Sequence, residues 1–297
     1  MTTTRSDVFM GTAELIGLLS AGGPVALLDV RWTLAEPNGE QAYLDGHLPG
    51  AVYVSLEDDL ADHHVSGRGR HPLPSGRDLQ AAARRWGVRD GVPTVVYDDW
   101  NRAGSARAWW CLTAAGIGGV RILDGGLSAW VDGGGPVETG PVTPEPGDVR
   151  VSHDDLYHGA LPTLTADDVQ SAAVLLDARA PERYRGEVEP VDPVAGHIPG
   201  AVNLPSTGLL NPDGTLRDET EVRALLSRRG SADTGVGAYC GSGVTAALTV
   251  AGLAAAGVEA ALFPGSWSEW VSDPGRPVAR GDDQPGWSVP SDGPRPP

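Results

Sequence analysis

Cys240 is the residue best placed to do chemistry. It opens the run Cys240-Gly241-Ser242-Gly243-Val244-Thr245-Ala246, which follows a short apolar stretch and leads into an Ala-rich segment with helical character. A loop running from a strand end into a helix N-terminus points backbone N–H groups inward, and the helix dipole adds partial positive charge. A sulfur held there is favoured as the thiolate, the nucleophilic form. Gly241 and Gly243 allow tight curvature and leave room for a ligand, while Ser242 and Thr245 add hydroxyl donors. The pattern points to thiolate chemistry without a metal. The second cysteine, Cys111, lies beside Trp109 and Trp110 in a helical stretch and reads as a packing residue. His63-His64 has no ligand spacing with either cysteine, so no metal site is expected.

The elements that carry Cys240 occur twice. Leu27-Leu28-Asp29-Val30-Arg31 returns as Leu175-Leu176-Asp177-Ala178-Arg179. Gly46-His47-Leu48-Pro49-Gly50-Ala51-Val52 returns as Gly196-His197-Ile198-Pro199-Gly200-Ala201-Val202. Val95-Val96-Tyr97-Asp98 matches Gly237-Ala238-Tyr239-Cys240, so Asp98 stands where the second copy has its cysteine. Gly125, Gly126 and Trp130 match Gly265, Ser266 and Trp270. A repeat this long means two complete domains rather than solenoid units.

Each copy alternates strands and helices. Strands are expected at 25–30, 94–97 and 120–123, and again at 174–178, 236–239 and 260–263, with helices at 105–115 and 244–256. The Gly-His-x-Pro-Gly turn leads into a further strand in each copy, and its presence in both gives His47 and His197 a role in the turn. Such alternation predicts an α/β fold, two tandem domains that each have a mainly parallel sheet flanked by helices. The expected organisation is a first domain over 7–132, a linker over 133–160, a second domain over 161–280, and a disordered tail over 281–297.

Composition narrows the function. The 297 residues carry 22 basic and 39 acidic side chains, a formal net charge of −17. That balance argues against nucleic-acid binding and against an anionic membrane surface. Every basic residue is Arg, so Lys Schiff-base chemistry and a P-loop are excluded. Two cysteines make no disulfide framework, and no secretory signal or spanning segment is visible, so a cytoplasmic location is expected.

Taken together, D-x-R, G-H-x-P-G-A-V and C-G-S-G-V-T-A in a tandem repeat resemble the rhodanese-type sulfurtransferases, from Asp7 to Arg280. That family comprises thiosulfate sulfurtransferases and 3-mercaptopyruvate sulfurtransferases. The resemblance implies a non-catalytic first domain and a catalytic second one. Cys240 would be the nucleophile, carrying sulfur as a persulfide to a thiophilic acceptor such as cyanide, a dithiol or thioredoxin. The amides of Gly241, Ser242, Gly243, Val244 and Thr245 would cradle it, and no cofactor is implied. The uncharged loop matches mercaptopyruvate enzymes, whereas thiosulfate enzymes carry basic residues after the cysteine. Arg183 matches the family arginine that holds the anionic donor. The second donor-binding arginine has no match in Glu187–Pro193, which leaves Arg179 or Arg185 as substitutes and keeps thiosulfate open as the donor. Ser242 and His71 match a Ser-His-acid arrangement, with the acid falling at Glu57 or Asp58. A related phosphatase loop would need an arginine six residues after the cysteine, where this chain has Ala246. A non-catalytic sulfur-carrier or interaction module is the remaining alternative.

Overall fold

The computed structural model describes residues 3–230 and 235–282. Most of the tail expected over 281–297 therefore lies outside the described residues. The first half builds a sheet from β1 (Phe9–Met10), β2 (Ala26–Asp29), β3 (Val52–Tyr53), β4 (Thr94–Tyr97) and β5 (Val120–Leu123), in the order β1-β5-β4-β2-β3. The second half builds one from β6 (Val174–Asp177), β7 (Val202–Asn203), β8 (Val236–Tyr239) and β9 (Ala260–Leu262), in the order β7-β6-β8-β9. All strand pairs are parallel. The register repeats as well, with Asp29 opposite Tyr97 and Asp177 opposite Tyr239. The short edge strand β1 was not expected from the sequence; its place in the second half is taken by a single bridge between Thr163 and Leu262.

Both faces of each sheet are buried, which is why these strands read as apolar runs rather than alternating ones. Leu28 and Val96 point into a core shared by the two halves, while Leu27, Val95 and Tyr97 point into an outer core that also holds Trp130. Leu176 and Ala238 face the shared core, and Leu175 and Tyr239 the outer one with Trp267 and Trp270. The shared core is sealed by two equivalent helices, Ala103–Ala114 and Thr245–Ala255, which lie against each other. Each follows the loop at the end of the central strand of its half, so packing helix on helix brings the two strand–helix loops to one boundary.

The two repeated motifs turn out to be one joint. Arg31 pairs with Asp29 through Nε (3.0 Å) and Nη2 (2.8 Å) and also donates to the carbonyl of Gly46 in the Gly-His turn. Arg179 does the same with Asp177 (3.1 and 2.6 Å) and with the carbonyl of Gly196 (2.7 Å). His47 stacks on Tyr43 and His197 on Tyr184, each with Nδ1 2.8 Å from the carbonyl of the stacked tyrosine. Both histidines are thus held as parts of the turn.

Candidate active site

Cys240 follows β8 directly, and the loop after it is clamped from below. The amide of Cys240 donates to Ser266 Oγ (3.1 Å), and the carbonyls of Cys240 and Gly241 accept from the amides of Trp267 and Ser268 (3.0 and 2.9 Å). Gly243 has φ +77°, and a Cβ there would stand 2.2 Å from the carbonyl of Pro264, so only glycine fits. Among the described residues, none of the amides from Gly241 to Thr245 donates to a protein acceptor. Gly241, Ser242, Gly243 and Val244 are buried, so these are costly groups to leave unpaired.

The equivalent loop in the first half is already filled. The carboxylate of Asp98 accepts from the amides of Trp100 (3.2 Å), Arg102 (3.1 Å) and Ser105 (3.1 Å), and from Ser105 Oγ (2.7 Å). One loop carries its own anion, and the other keeps its amides free beside a sulfur.

Cys240 is 2% exposed, but it lines a cavity of about 300 Å³ that opens to solvent. Trp32, Leu34, Arg70 and Trp100 of the first half form one wall of that cavity, and Arg179, Pro181, Arg183 and Pro205 of the second half form another. Cys111, by contrast, is fully buried in its helix, and burial pushes its thiol up.

The structure brings Ser242 and His71 together across the domain boundary. His71 Nδ1 lies 2.7 Å from Ser242 Oγ, and His71 Nε2 lies 3.1 Å from Glu57 Oε1. Glu57, rather than Asp58, faces His71; Asp58 instead faces Ser55 Oγ at 2.8 Å, at a helix start. Trp32 Nε1 donates to the same Glu57 oxygen at 2.7 Å. The hydrogen bond from His71 brings the Glu57 carboxyl down to about 2, against the effect of its burial. Burial lowers His71 below the ordinary imidazole value, and Glu57 only partly offsets this. At neutral pH the pair is therefore a carboxylate and a neutral imidazole. The hydrogen bonds assign the tautomer: Nε2–H donates to Glu57 and Nδ1 accepts from the Ser242 hydroxyl.

Arg183 and Arg70 converge on Gly241. A Cβ built on Gly241 would stand 3.2 Å from Arg70 Nη2 and 3.6 Å from Arg183 Nη1. Arg183 is held by Glu189 (Nε to Oε2 3.2 Å, Nη2 to Oε1 2.6 Å), and Asp192 lies 2.5 Å from Arg70 and 3.6 Å from Arg183. Burial works against the charge on Glu189, but hydrogen bonds from Arg183 and the amide of Asp192 outweigh it and keep its carboxyl below the usual range. The loop that lacks a second arginine thus supplies carboxylates that tether two arginines. Of the two substitutes considered from the sequence, Arg179 lines the cavity and Arg185 does not. Arg185 pairs with Glu187 at the surface, and Arg179 is committed to Asp177, Glu189 and Gly196. Arg70 was missed because it lies in the other half, outside any repeated motif; its one signal was adjacency to His71.

Residues 12–132 and 162–273 each match the Rhodanese-like domain. The chain belongs to the rhodanese family. Among its rhodanese relatives, a Mycobacterium tuberculosis protein named "Putative thiosulfate sulfurtransferase SseB" is 64% identical over 279 residues, covering 93% of this chain and 98% of that one. The 3-mercaptopyruvate sulfurtransferase of Escherichia coli is 35% identical over 263 residues, covering 86% of this chain and 92% of its own. The crystal structure of SseA from Escherichia coli, a 3-mercaptopyruvate sulfurtransferase, matches 90% of this rhodanese chain and all of its own, with a TM-score of 0.76 and 32% identity. The 3-mercaptopyruvate sulfurtransferase from Leishmania major matches 92% of this chain and 76% of its own, with a TM-score of 0.79 and 28% identity.

Proposed function

We propose that this chain is a sulfurtransferase that moves sulfur from 3-mercaptopyruvate to a thiophilic acceptor through a persulfide on Cys240. The observation that carries this reading is the contrast between the two loops: Asp98 satisfies its own amides, whereas those around Cys240 await an anion. The Cys240 thiolate attacks the donor sulfur, an S–S bond forms, and the C–S bond breaks. Its electron pair leaves as the enolate of pyruvate. His71, acting through Ser242, takes the donor's thiol proton and returns it to the enolate carbon, so no proton is gained or lost overall. Arg183 and Arg70 bind the donor carboxylate with planar, fixed donors. The amides of Gly241 to Thr245 stabilise the persulfide, in the manner of an oxyanion hole.

A buried sulfur in a cavity of this size takes a small acceptor, or a thiol at the tip of a protein such as thioredoxin. Two unpaired cysteines suit a reducing, cytoplasmic setting. Among the described residues, no helix is long and apolar enough to cross a membrane.

Thiosulfate is the second reading, favoured by the name of the 64% identical relative and by two guanidinium groups over Gly241, which suit a dianion. Kinetics with the two donors side by side decide between them. A kcat/KM for mercaptopyruvate at least tenfold above that for thiosulfate supports the first reading, and the reverse order overturns it. A variant Cys240→Ser that still turns over either donor removes the nucleophile. Mass spectrometry of the donor-treated enzyme tests for one added sulfur on the Cys240 peptide.

A further inference from the structure

Arg107 belongs to neither the repeated motifs nor the cavity lining, yet it is a fully buried cation. It lies in the Ala103–Ala114 helix of the first half. Its guanidinium spends its donors on backbone carbonyls alone: Leu60 (Nε 3.3 Å, Nη2 3.0 Å), His71 (Nη2 3.0 Å), Pro72 (Nη2 3.5 Å) and, across the boundary, Gly243 (Nη1 3.2 Å). Among the described residues no carboxylate comes within ion-pair distance of it. A buried charge without a counter-charge costs several kcal/mol, so the fold keeps such a group only where something compensates it.

Two of its carbonyl partners belong to the candidate site. The Gly243–Val244 peptide is trans, as all described peptides are, so its N–H points opposite to its C=O. Holding the Gly243 carbonyl on one side aims the Val244 amide to the other. The grip on the carbonyl of His71 fixes the backbone that carries the imidazole. The unbalanced charge of Arg107 also opposes protonation of His71, whose shift it contributes to.

We infer that Arg107 is a positioning residue. Its guanidinium fastens the carbonyl of Gly243 in the Cys240 loop to the carbonyls of Leu60 and His71 in the first half, and so sets the Val244 amide and the imidazole in register across the boundary. This rests on the reading of Cys240 as nucleophile. Other charged or titratable groups border the same loop: Arg70 and Arg183 over Gly241, and His71 beside Ser242 with Glu57 behind it. They remain in place in the test.

The test compares Arg107→Met with Arg107→Lys in the full chain, after melting curves show that each folds. The readouts are the rate of Cys240 alkylation at neutral pH, and kcat and KM with both donors. Arg107→Met, which releases the carbonyls, should slow alkylation about tenfold and lower kcat with both donors while KM stays within about threefold. Its loss of kcat should be larger with mercaptopyruvate, because the His71 backbone is released along with the loop. Arg107→Lys, which keeps a charged donor beneath the loop, should recover part of the loss. An unchanged kcat and alkylation rate in Arg107→Met, or equal losses in Met and Lys, overturns the inference. If Arg107→Met does not fold, Arg107→Gln, which keeps only part of the donor set, is compared with Arg107→Lys by the same readouts. Cys240→Ser is run in parallel. Turnover surviving in it sinks the nucleophile, whereas a dead Cys240→Ser beside an unaffected Arg107→Met sinks only the role of Arg107.

Discussion

At the scale of single residues, the proposed mechanism divides the site into groups that serve any donor and groups that serve one. On that mechanism Cys240 and its amides act on whatever sulfur arrives, but the Ser242–His71–Glu57 chain is needed only where a proton must be moved. His71→Ala should lower kcat with mercaptopyruvate about a hundredfold and leave thiosulfate within a few-fold; equal losses with both donors would remove the proton shuttle. The acid limb of the mercaptopyruvate profile gives the sign. Burial puts His71 below the ordinary imidazole value of 6.5, so the neutral base persists through that pH and activity falls only below it. Glu57 pulls His71 upward, so Glu57→Gln should lower the plateau and move the limb to still lower pH. A limb that moved up would contradict the pull of Glu57 on His71. Arg183→Ala and Arg70→Ala should each raise KM for mercaptopyruvate about tenfold, as loss of a charge-assisted hydrogen bond implies, and because each leaves a buried carboxylate, Glu189 or Asp192, short of a partner, the melting temperature should fall as well.

At the scale of elements, the most legible parts were those that repeat. Asp29–Arg31 and Asp177–Arg179 announce themselves because each motif closes on a turn 15 or 17 residues further along its own half, so the whole joint repeats with the domain. The strands at 94–97 and 236–239 were legible because sheets buried on both faces leave apolar runs. The edge strand Phe9–Met10 was not, since two residues carry no periodicity and pairing with β5 is a tertiary choice. The joint made by Arg31 ties Asp29 to the Gly46 turn, and Arg31 does not line the Cys240 cavity. Arg31→Ala leaves Asp29 fully buried without its partner, which should cost about 3–5 kcal/mol. A melting temperature lower by roughly ten degrees is expected, with Cys240 alkylation of the folded protein unchanged. Gly243→Ala is the converse case. It meets the Pro264 carbonyl at a left-handed φ, so activity should be lost with both donors at a stability cost of about 1–3 kcal/mol. A fully active Gly243→Ala enzyme would show that the loop is not held as described.

At the scale of the whole molecule, the half without a cysteine is part of the site. It supplies Arg70 and Trp32 to the cavity wall, His71 and Glu57 to the chain that ends on Ser242, and Arg107 beneath the loop. None of these positions has a motif in the second half, because a contact between two unlike surfaces leaves no internal repeat to read. The boundary itself therefore carries function, and loosening it should show in the chemistry. Arg5 provides a handle: Nη2 pairs with Asp124 (2.6 Å) and donates to the carbonyl of Leu216 (2.7 Å), while Nη1 donates to the carbonyl of Arg217 (2.7 Å). The amide of Leu216 in turn donates to Asp124 (2.7 Å). Asp124→Ala removes the Leu216 bond across the boundary and the ion pair that holds Arg5 in place, without touching the cavity lining. Arg5 is partly exposed and its ion pair is screened, so the loss should be modest, about 1 kcal/mol and a few degrees of melting temperature. The donors should nevertheless separate. On the proposed mechanism, thiosulfate turnover draws on the first half only through Arg70 and Arg107 and should fall less. Mercaptopyruvate turnover depends on a 2.7 Å contact from His71 to Ser242 that spans the boundary. A drop in the mercaptopyruvate-to-thiosulfate kcat ratio in Asp124→Ala would locate the control of donor choice in the packing of the two halves; a constant ratio would place it wholly in the loop.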